Sequence, residues 1–164
     1  MPNPYNYHFD QTTQSYHFST KNDIEYRVAF IVDHTFSAVS GLEIENVYQI
    51  IIDKVSDNLE KFDSQVSATI QTIVNAFFVN SQNAMIYVCD DKDNKGEKRF
   101  NVFQRWYQKS NFTDFIMKVD NVIVCNSNDT DYTLYSSLLY HQDNTNKETI
   151  LELYQTIQDI LNEK

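Results

Sequence analysis

Glycine and proline are almost absent from this sequence of 164 residues. It contains two glycines, Gly41 and Gly96, and two prolines, Pro2 and Pro4, both within the first four residues. A Walker P-loop and a G-x-G-x-x-G dinucleotide turn both need clustered glycines, because the backbone must approach the phosphates closely. The sequence therefore excludes both kinds of nucleotide-binding turn.

Positive charge is also scarce. The chain has 13 lysines and arginines against 23 aspartates and glutamates, which gives a formal net charge of -10 at pH 7. Duplex nucleic acids and anionic membrane surfaces attract positively charged proteins. Neither is therefore expected as the main partner.

Long apolar runs and targeting signals are missing as well. No stretch approaches the roughly 20 apolar residues that a membrane-spanning helix needs. The segment from Met1 to Asp10 has neither the basic region nor the apolar region of a secretory signal. The expected location is the cytoplasm.

Cysteine occurs at two positions, Cys89 and Cys125. Each lies inside an apolar, strand-like run, and the two do not form a C-x-x-C pair, which removes the usual zinc and thioredoxin-type interpretations. We expect both to be buried free thiols in a reducing compartment.

Apolar and aromatic residues, by contrast, are abundant. They include 11 phenylalanines and 11 tyrosines, and 41% of the chain is hydrophobic. This composition is typical of a folded protein, and the length suits one domain. Because no linker is visible, the sequence predicts a single domain over residues 1–164.

The first two strands are predicted to form a hairpin that is rich in aromatic residues. Two short alternating runs flank a polar turn between Asp10 and Ser15. The expected cross-strand pairs are Tyr7 with Phe18, His8 with His17 and Phe9 with Tyr16. Opposed residues share a face of a sheet, so the aromatic rings should line one face and both histidines the other.

The rest of the chain alternates between strand and helix patterns. Strands are predicted over 24–32, 46–55, 85–89, 115–125 and 132–141, and helices over 64–80, 97–109 and from about residue 147. The element order ββββαβαββα predicts an α+β fold. We expect one mixed, largely antiparallel sheet of six to seven strands, with three helices packed against it.

The acidic turn from Asp90 to Gly96 has the most chemical character. It imitates the opening of an EF-hand, but position five is Lys95 and position twelve is Val102, where a bidentate glutamate is needed. A looser Mg²⁺ site on these carboxylates stays open, although the pattern favours a solvated turn whose carboxylates cap the next helix. No metal ion is assigned to the chain.

The segment after this turn carries most of the candidate anion-binding residues. Lys95, Lys98, Arg99 and Arg105 cluster within an otherwise acidic chain. Such a cluster can attract a phosphate-bearing molecule or an acidic partner. An exposed helix face with ordinary basic residues is the simpler interpretation.

The histidines do not form a recognisable site. His8 and His17 can supply two cross-strand metal ligands, but no third ligand is identifiable. We therefore interpret them as two polar side chains on a wet face. His34 and His141 have no nearby serine or cysteine in a nucleophile context, so no triad is assigned.

Three motifs resemble those of a family of small bacterial proteins of unknown function, found mainly in the Bacteroidetes. They are Thr69-Ile70-x-x-Ile73-x-x-x-Phe77-Phe78, Ile86-Tyr87-Val88-Cys89-Asp90-x-x-Asp93 and Arg99-x-x-x-Phe103-x-x-Trp106. Tyr16-x-Phe18-x-Thr20 and Tyr26-x-Val28-x-Phe30 extend the resemblance towards the N-terminus. The resemblance brings no known activity.

The element order and Tyr107 also resemble the GNAT acyl-coenzyme A N-acyltransferases. That family tends to have Asn-x-x-Ala-x-x-x-Tyr with Gly-Phe at the exit of its second core helix, and its tyrosine can act as a general acid towards the leaving thiolate. Tyr107 and Phe112 match that spacing, whereas Phe100, Phe103 and Asn111 replace the other residues. The resemblance implies acetyl-coenzyme A as cofactor and Tyr107 as catalytic residue.

One segment departs from the GNAT pattern. The family has a glycine-containing loop before its first core helix, and the amides of this loop bind the pyrophosphate. Here the segment lacks glycine and carries the carboxylates Asp57, Glu60 and Asp63, which repel phosphates.

The favoured hypothesis is therefore a non-catalytic cytoplasmic α+β domain, a degenerate GNAT-like scaffold that binds another macromolecule, such as a protein, and needs no cofactor. The alternative is a divergent acyl-coenzyme A N-acyltransferase. The sequence does not decide whether the chain is an enzyme, and it gives no oligomeric state.

Overall fold

A computed structural model gives the fold and describes residues 2–56, 61–127 and 130–163. Within these ranges it contains seven strands, four α-helices and one short 3-10 helix. The strands are β1 (Tyr7–Asp10), β2 (Ser15–Ser19), β3 (Glu25–Val32), β4 (Val47–Lys54), β5 (Ala84–Asp90), β6 (Ile116–Ser127) and β7 (Thr130–His141). The helices are α1 (Thr35–Ser40), α2 (Ser64–Phe77), α3 (Gly96–Lys109) and α4 (Lys147–Asn162), with the 3-10 helix at Asn111–Asp114.

The strands form one mixed sheet in the order β1-β2-β3-β4-β5-β7-β6. β4 and β5 are parallel, whereas the pairs β1–β2, β2–β3, β5–β7 and β6–β7 are antiparallel. The predicted α+β class, the mixed sheet and the three long helices are confirmed. The long helices α2, α3 and α4 lie where the apolar periodicity predicts them, within a few residues at their ends.

Helix α1 and the 3-10 helix are the elements that the sequence analysis missed. α1 has six residues, which is too short to show a helical period, and it buries only Phe36. It ends at Gly41, whose φ of 68° is the left-handed conformation that glycine adopts at little cost. The one visible signal for α1 was therefore this glycine.

Contacts between residues group the chain into two compact units. Unit 1 comprises Met1–Ile31 and Ile50–Val79. Its hairpin has the predicted register, with Tyr7, His8 and Phe9 opposite Phe18, His17 and Tyr16. Helix α2 buries its apolar side, and its last residue, Phe77, stacks on Phe30 with ring centroids 4.1 Å apart. The hairpin prediction is confirmed, including the placement of both histidines on the face opposite the aromatic rings, since neighbouring residues in a strand alternate in direction.

Unit 2 comprises Val32–Gln49 and Asn80–Lys164. Its sheet has helices on both faces, because neighbouring residues of β5 contact different helices: Tyr87 stacks on Phe103 of α3, whereas Ile86 packs in one cluster with Tyr154 of α4. The rest of that cluster comprises Phe36, Val47, Ala84, Leu138, Tyr140 and Ile150. This face, under α4, contains the cavity described below. The single domain predicted over 1–164 stays a prediction.

The two cysteines are free, but they differ in burial. Cys89 is buried in β5, and burial raises the pKa of its thiol. Cys125 is only half-buried, so the prediction for it was wrong. Cys125 pairs across the hairpin with Tyr132 of β7. The pairing of β7 with β5 stops at Leu134, so the end of the β6–β7 hairpin that contains Cys125 and Tyr132 extends past β5.

In the part of the chain that the structure describes, no helix has both the length and the apolar character needed to cross a bilayer.

Candidate functional site

Tyr107, the residue that the GNAT resemblance marks as catalytic, lies near the end of α3. Its hydroxyl donates to the backbone carbonyl of Ile116 at 2.7 Å. Burial raises its pKa, and the neighbouring Asp120 and Tyr140 act in the same direction. The bond ties the end of α3 to the first residue of β6, so the hydroxyl of Tyr107 takes part in a structural contact.

The candidate anion-binding residues all have exposed side chains on α3 or directly before it. Arg99 is paired, because both of its terminal nitrogens donate to the carboxylate of Asp93. This hydrogen bond lowers the pKa of Asp93 and raises that of Arg99. Lys98 and Arg105 lie seven residues apart, which separates them by about 10 Å along a helix. The anion-binding role of these four residues stays a prediction.

The carboxylates of the acidic turn bind backbone amides. Asp90 accepts from the amide of Lys92 at 3.2 Å, Asp91 from that of Gly96 at 3.0 Å, and Asp93 from that of Lys95 at 3.1 Å. Throughout the described residues, no group of three or more His, Cys, Asp or Glu side chains is arranged to hold a metal ion. The turn has the capping arrangement that the pattern favours.

The GNAT resemblance implies a pyrophosphate-binding loop before α2. Asp57 and Glu60 lie outside the described residues. Asp63 caps the helix: its carboxylate accepts from the amide of Gln65 at 2.9 Å and from the hydroxyl of Tyr5 at 2.6 Å. A carboxylate therefore already binds one of the first amides of this helix.

The two hairpin histidines stack on each other in unit 1, and His17 takes part in a local hydrogen-bond network. The rings of His8 and His17 stack with centroids 5.7 Å apart. Nδ1 of His17 lies 3.1 Å from a carboxylate oxygen of Glu25, and its Nε2 lies 2.9 Å from the hydroxyl of Ser15. Ser15 is fully buried. Both nitrogens of His17 are engaged within the sheet.

A cavity of about 180 Å³ opens in unit 2 between the sheet and α4; we call it the unit 2 cavity. Its walls are mostly apolar side chains from three strands and the last turns of α4. They include Ile86, Val88, Ile123, Leu134, Ile157 and Leu161. Apolar cavities of about 150 Å³ can bind a molecule the size of benzene. This cavity has the volume and the lining for a small apolar ligand.

Three polar side chains in the cavity wall are buried. Tyr154 donates its hydroxyl proton to the hydroxyl oxygen of Ser136 at 2.8 Å. Burial raises the pKa of Tyr154 to about 12, although the bond to Ser136 acts in the opposite direction. Asn121 is 7% exposed, and its amide nitrogen has no hydrogen-bond partner within the described part of the chain. The wall therefore contains an amide donor that the fold leaves unsatisfied.

The more exposed part of the lining is polar and carries one negative charge. Thr35 is exposed, whereas Asp33 and Gln158 are half-buried. One oxygen of Asp33 accepts from the backbone amide of Thr35 at 2.8 Å. Among the described residues of the lining no lysine, arginine or histidine balances this carboxylate.

The sequence analysis did not identify the unit 2 cavity. One signal was available: in the predicted strand over 115–125, Asn121 stands between Val119 and Ile123 at the positions that face one side of the sheet. A polar residue at an inward position of an alternating strand needs a partner or a function. Ser136 is the residue opposite Asn121 on β7, and this pairing is set by the strand register, which the sequence analysis did not assign here.

The family comparison matches the segment that forms most of these walls. A family model described as a family of unknown function, DUF6169, matches residues 62–156, which is more than half of the chain. The chain belongs to this family. The DUF6169 segment contains Asn121, Ser136 and Tyr154, and it confirms the resemblance to a family of unknown function. No curated protein and no solved structure matches the chain.

Proposed function

We propose that the chain is a non-catalytic binding domain that holds a small molecule in the unit 2 cavity. The observation that carries this proposal is the unpaired amide of Asn121 in a wall of otherwise apolar or satisfied side chains. Leaving such a donor buried costs about 1–3 kcal/mol. A ligand that supplies an acceptor removes that cost.

Binding can be followed by nuclear magnetic resonance of the isoleucine methyl groups. Titration of the full chain with cumene, a small apolar probe, should shift the methyl signals of Ile86, Ile123 and Ile157, which line the cavity. Ile70 is buried in α2 of unit 1 and serves as the internal control. Shifts at Ile70 without shifts at the lining residues, or no shifts with cumene, acetophenone or benzoate, would overturn the proposal.

A divergent acyltransferase is the second candidate, and the element order with its parallel β4–β5 pair favours it. Two observations weigh against it. The hydroxyl of Tyr107 is bonded to the carbonyl of Ile116, and the carboxylate of Asp63 caps the start of α2. Calorimetry with acetyl-coenzyme A separates the candidates: the non-catalytic proposal expects a Kd no tighter than millimolar, about -4 kcal/mol, whereas micromolar binding would support the acyltransferase.

The sequence analysis favours a macromolecular partner in the cytoplasm, and both statements stay predictions. Exposed apolar side chains on the edge strand β6 support such a partner: Met117, Val122 and Val124 are each about half exposed. Edge strands of this kind can bind an additional strand. Occupation of the unit 2 cavity does not exclude this second contact.

A further inference from the structure

Two hydrogen-bond donors stand side by side in the wall of the unit 2 cavity. Asn121 of β6 and Ser136 of β7 are direct cross-strand partners, so their Cβ atoms lie about 5 Å apart on the same face of the sheet. Tyr154 donates to the oxygen of Ser136, which leaves the hydroxyl proton of Ser136 free to donate elsewhere. Within the described residues the amide nitrogen of Asn121 has no hydrogen-bond partner.

A carbonyl oxygen satisfies both donors at once, because it has two lone pairs. We infer that the ligand of the unit 2 cavity is an uncharged, mostly apolar molecule with one carbonyl group, whose oxygen accepts from Asn121 and Ser136. This inference rests on the proposed function and specifies its ligand class. The apolar remainder of the ligand lies against the aliphatic side chains of the strands and α4.

Electrostatics excludes a carboxylate ligand. Asp33 is the charged side chain among the described residues of the lining, and the whole chain carries a net charge of -10. A carboxylate would lose its hydration on entering the cavity, and two neutral donors compensate poorly for that loss when no cation is near. An isosteric ketone loses far less hydration and keeps the same acceptor oxygen.

Three probes of nearly the same shape separate these contributions. Acetophenone carries the carbonyl oxygen, cumene replaces its acetyl group with an isopropyl group, and benzoate replaces it with a carboxylate. For the full chain, we expect acetophenone to bind about tenfold more tightly than cumene, because it satisfies the buried donors. Benzoate should bind more weakly than either compound.

The variant Asn121→Leu tests the donor directly. It should lower the preference for acetophenone over cumene from about tenfold to about threefold, because Ser136 can still donate. Asn126→Leu is the matched control on the same strand, because Asn126 is exposed, and it should keep the preference. Ser136→Ala, which removes the second donor, should reduce the preference about threefold; circular dichroism verifies that each variant is folded.

The outcomes distinguish this inference from the proposed function. If cumene binds as tightly as acetophenone, or if benzoate binds best, the ligand class is wrong, although the cavity still binds. If Asn121→Leu and Ser136→Ala both keep the full preference for acetophenone, the inferred carbonyl contact is wrong. If none of the three probes binds in the cavity, the proposed function itself fails.

Discussion

At the scale of single residues, the account depends on Asn121. Its side chain is 7% exposed, lies in an apolar wall and has an amide nitrogen without a partner in the described structure. A buried donor without an acceptor destabilises the folded state by about 1–3 kcal/mol. Proteins tolerate such a local cost mainly at functional sites, which agrees with the proposed ligand contact.

Replacement of this amide should therefore stabilise the unliganded protein. Asn121→Leu removes the unsatisfied donor and fills part of the adjacent cavity, so we expect the free energy of unfolding to rise by about 1 kcal/mol. Urea titration measures the change. The exposed control Asn126→Leu should change it by less than about 0.5 kcal/mol. A loss of more than about 1 kcal/mol in Asn121→Leu would show that the amide has a partner in the native state.

Residues of the hairpin were predictable, whereas Asn121 was not. The pairing of His8 with His17 follows from the strict alternation of two short runs and a polar turn between them. Asn121 is notable only because its amide nitrogen lacks a hydrogen-bond acceptor among the described residues. This depends on the strand register and on the position of α4. The exposure of Cys125 was missed for the same reason, because it depends on where β5 ends.

At the scale of elements, turns and caps determine where the helices begin. Helix α3 starts at Gly96, which is pressed against the backbone of the acidic turn: a Cβ atom there would lie 2.5 Å from the carbonyl oxygen of Asp90. Helix α2 starts after Asp63, which caps it and also binds Tyr5. Each contact is a testable part of the fold.

The substitution Gly96→Ala should destabilise the protein by about 1–3 kcal/mol, because backbone atoms of Asp90 must move to admit the methyl group. Urea titration of the full chain gives the change. Lys95→Ala, at the neighbouring exposed position whose side chain makes no capping bond, is the control and should be nearly neutral. A neutral Gly96→Ala would mean that the turn is looser than described.

The cap at Asp63 should give a pH-dependent contribution to stability. Burial raises the pKa of Asp63, but the hydrogen bonds from Tyr5 and Gln65 outweigh it, so the net pKa is below the usual value. Because the folded state has the lower pKa, the stabilisation is present above the unfolded-state pKa of about 4 and is lost as the pH falls through the folded-state pKa.

We therefore expect Asp63→Ala to lower the free energy of unfolding by about 1 kcal/mol at pH 7, and this difference should shrink below about pH 4. Asp63→Asn is the matched control, because asparagine caps a helix as well as aspartate does but does not titrate in this range. An Asp63→Ala effect that stayed constant from pH 7 down to pH 2 would contradict this account of the cap.

Most elements could be predicted from the sequence, because the long helices and strands show clear periods of 3.6 and 2 residues. Helix α1 could not, since six residues give less than two turns. Its omission matters for the proposed site: Asp33, just before α1, and Phe36 within it complete the lining of the unit 2 cavity. The site therefore depends partly on an element without a sequence period.

At the scale of the whole molecule, the α+β class follows from the element order, but the proposed binding site does not. The sequence motifs pointed to Tyr107 and to the basic residues of α3. In the structure, Tyr107 bonds to a backbone carbonyl, Arg99 pairs with Asp93, and the basic residues are exposed. The unit 2 cavity is assembled instead from β5, β6, β7, α4 and the start of α1. These positions come together only through the pairing of the strands and the packing of the helices on the sheet.

A crystal structure of the full chain grown with acetophenone tests the central claim most directly. We predict that the ring lies between the sheet and α4 in the unit 2 cavity, with its carbonyl oxygen within hydrogen-bond distance, about 3 Å, of the Asn121 amide nitrogen and the Ser136 hydroxyl. A cavity closed by its own side chains, or acetophenone bound only elsewhere on the protein, would contradict the account.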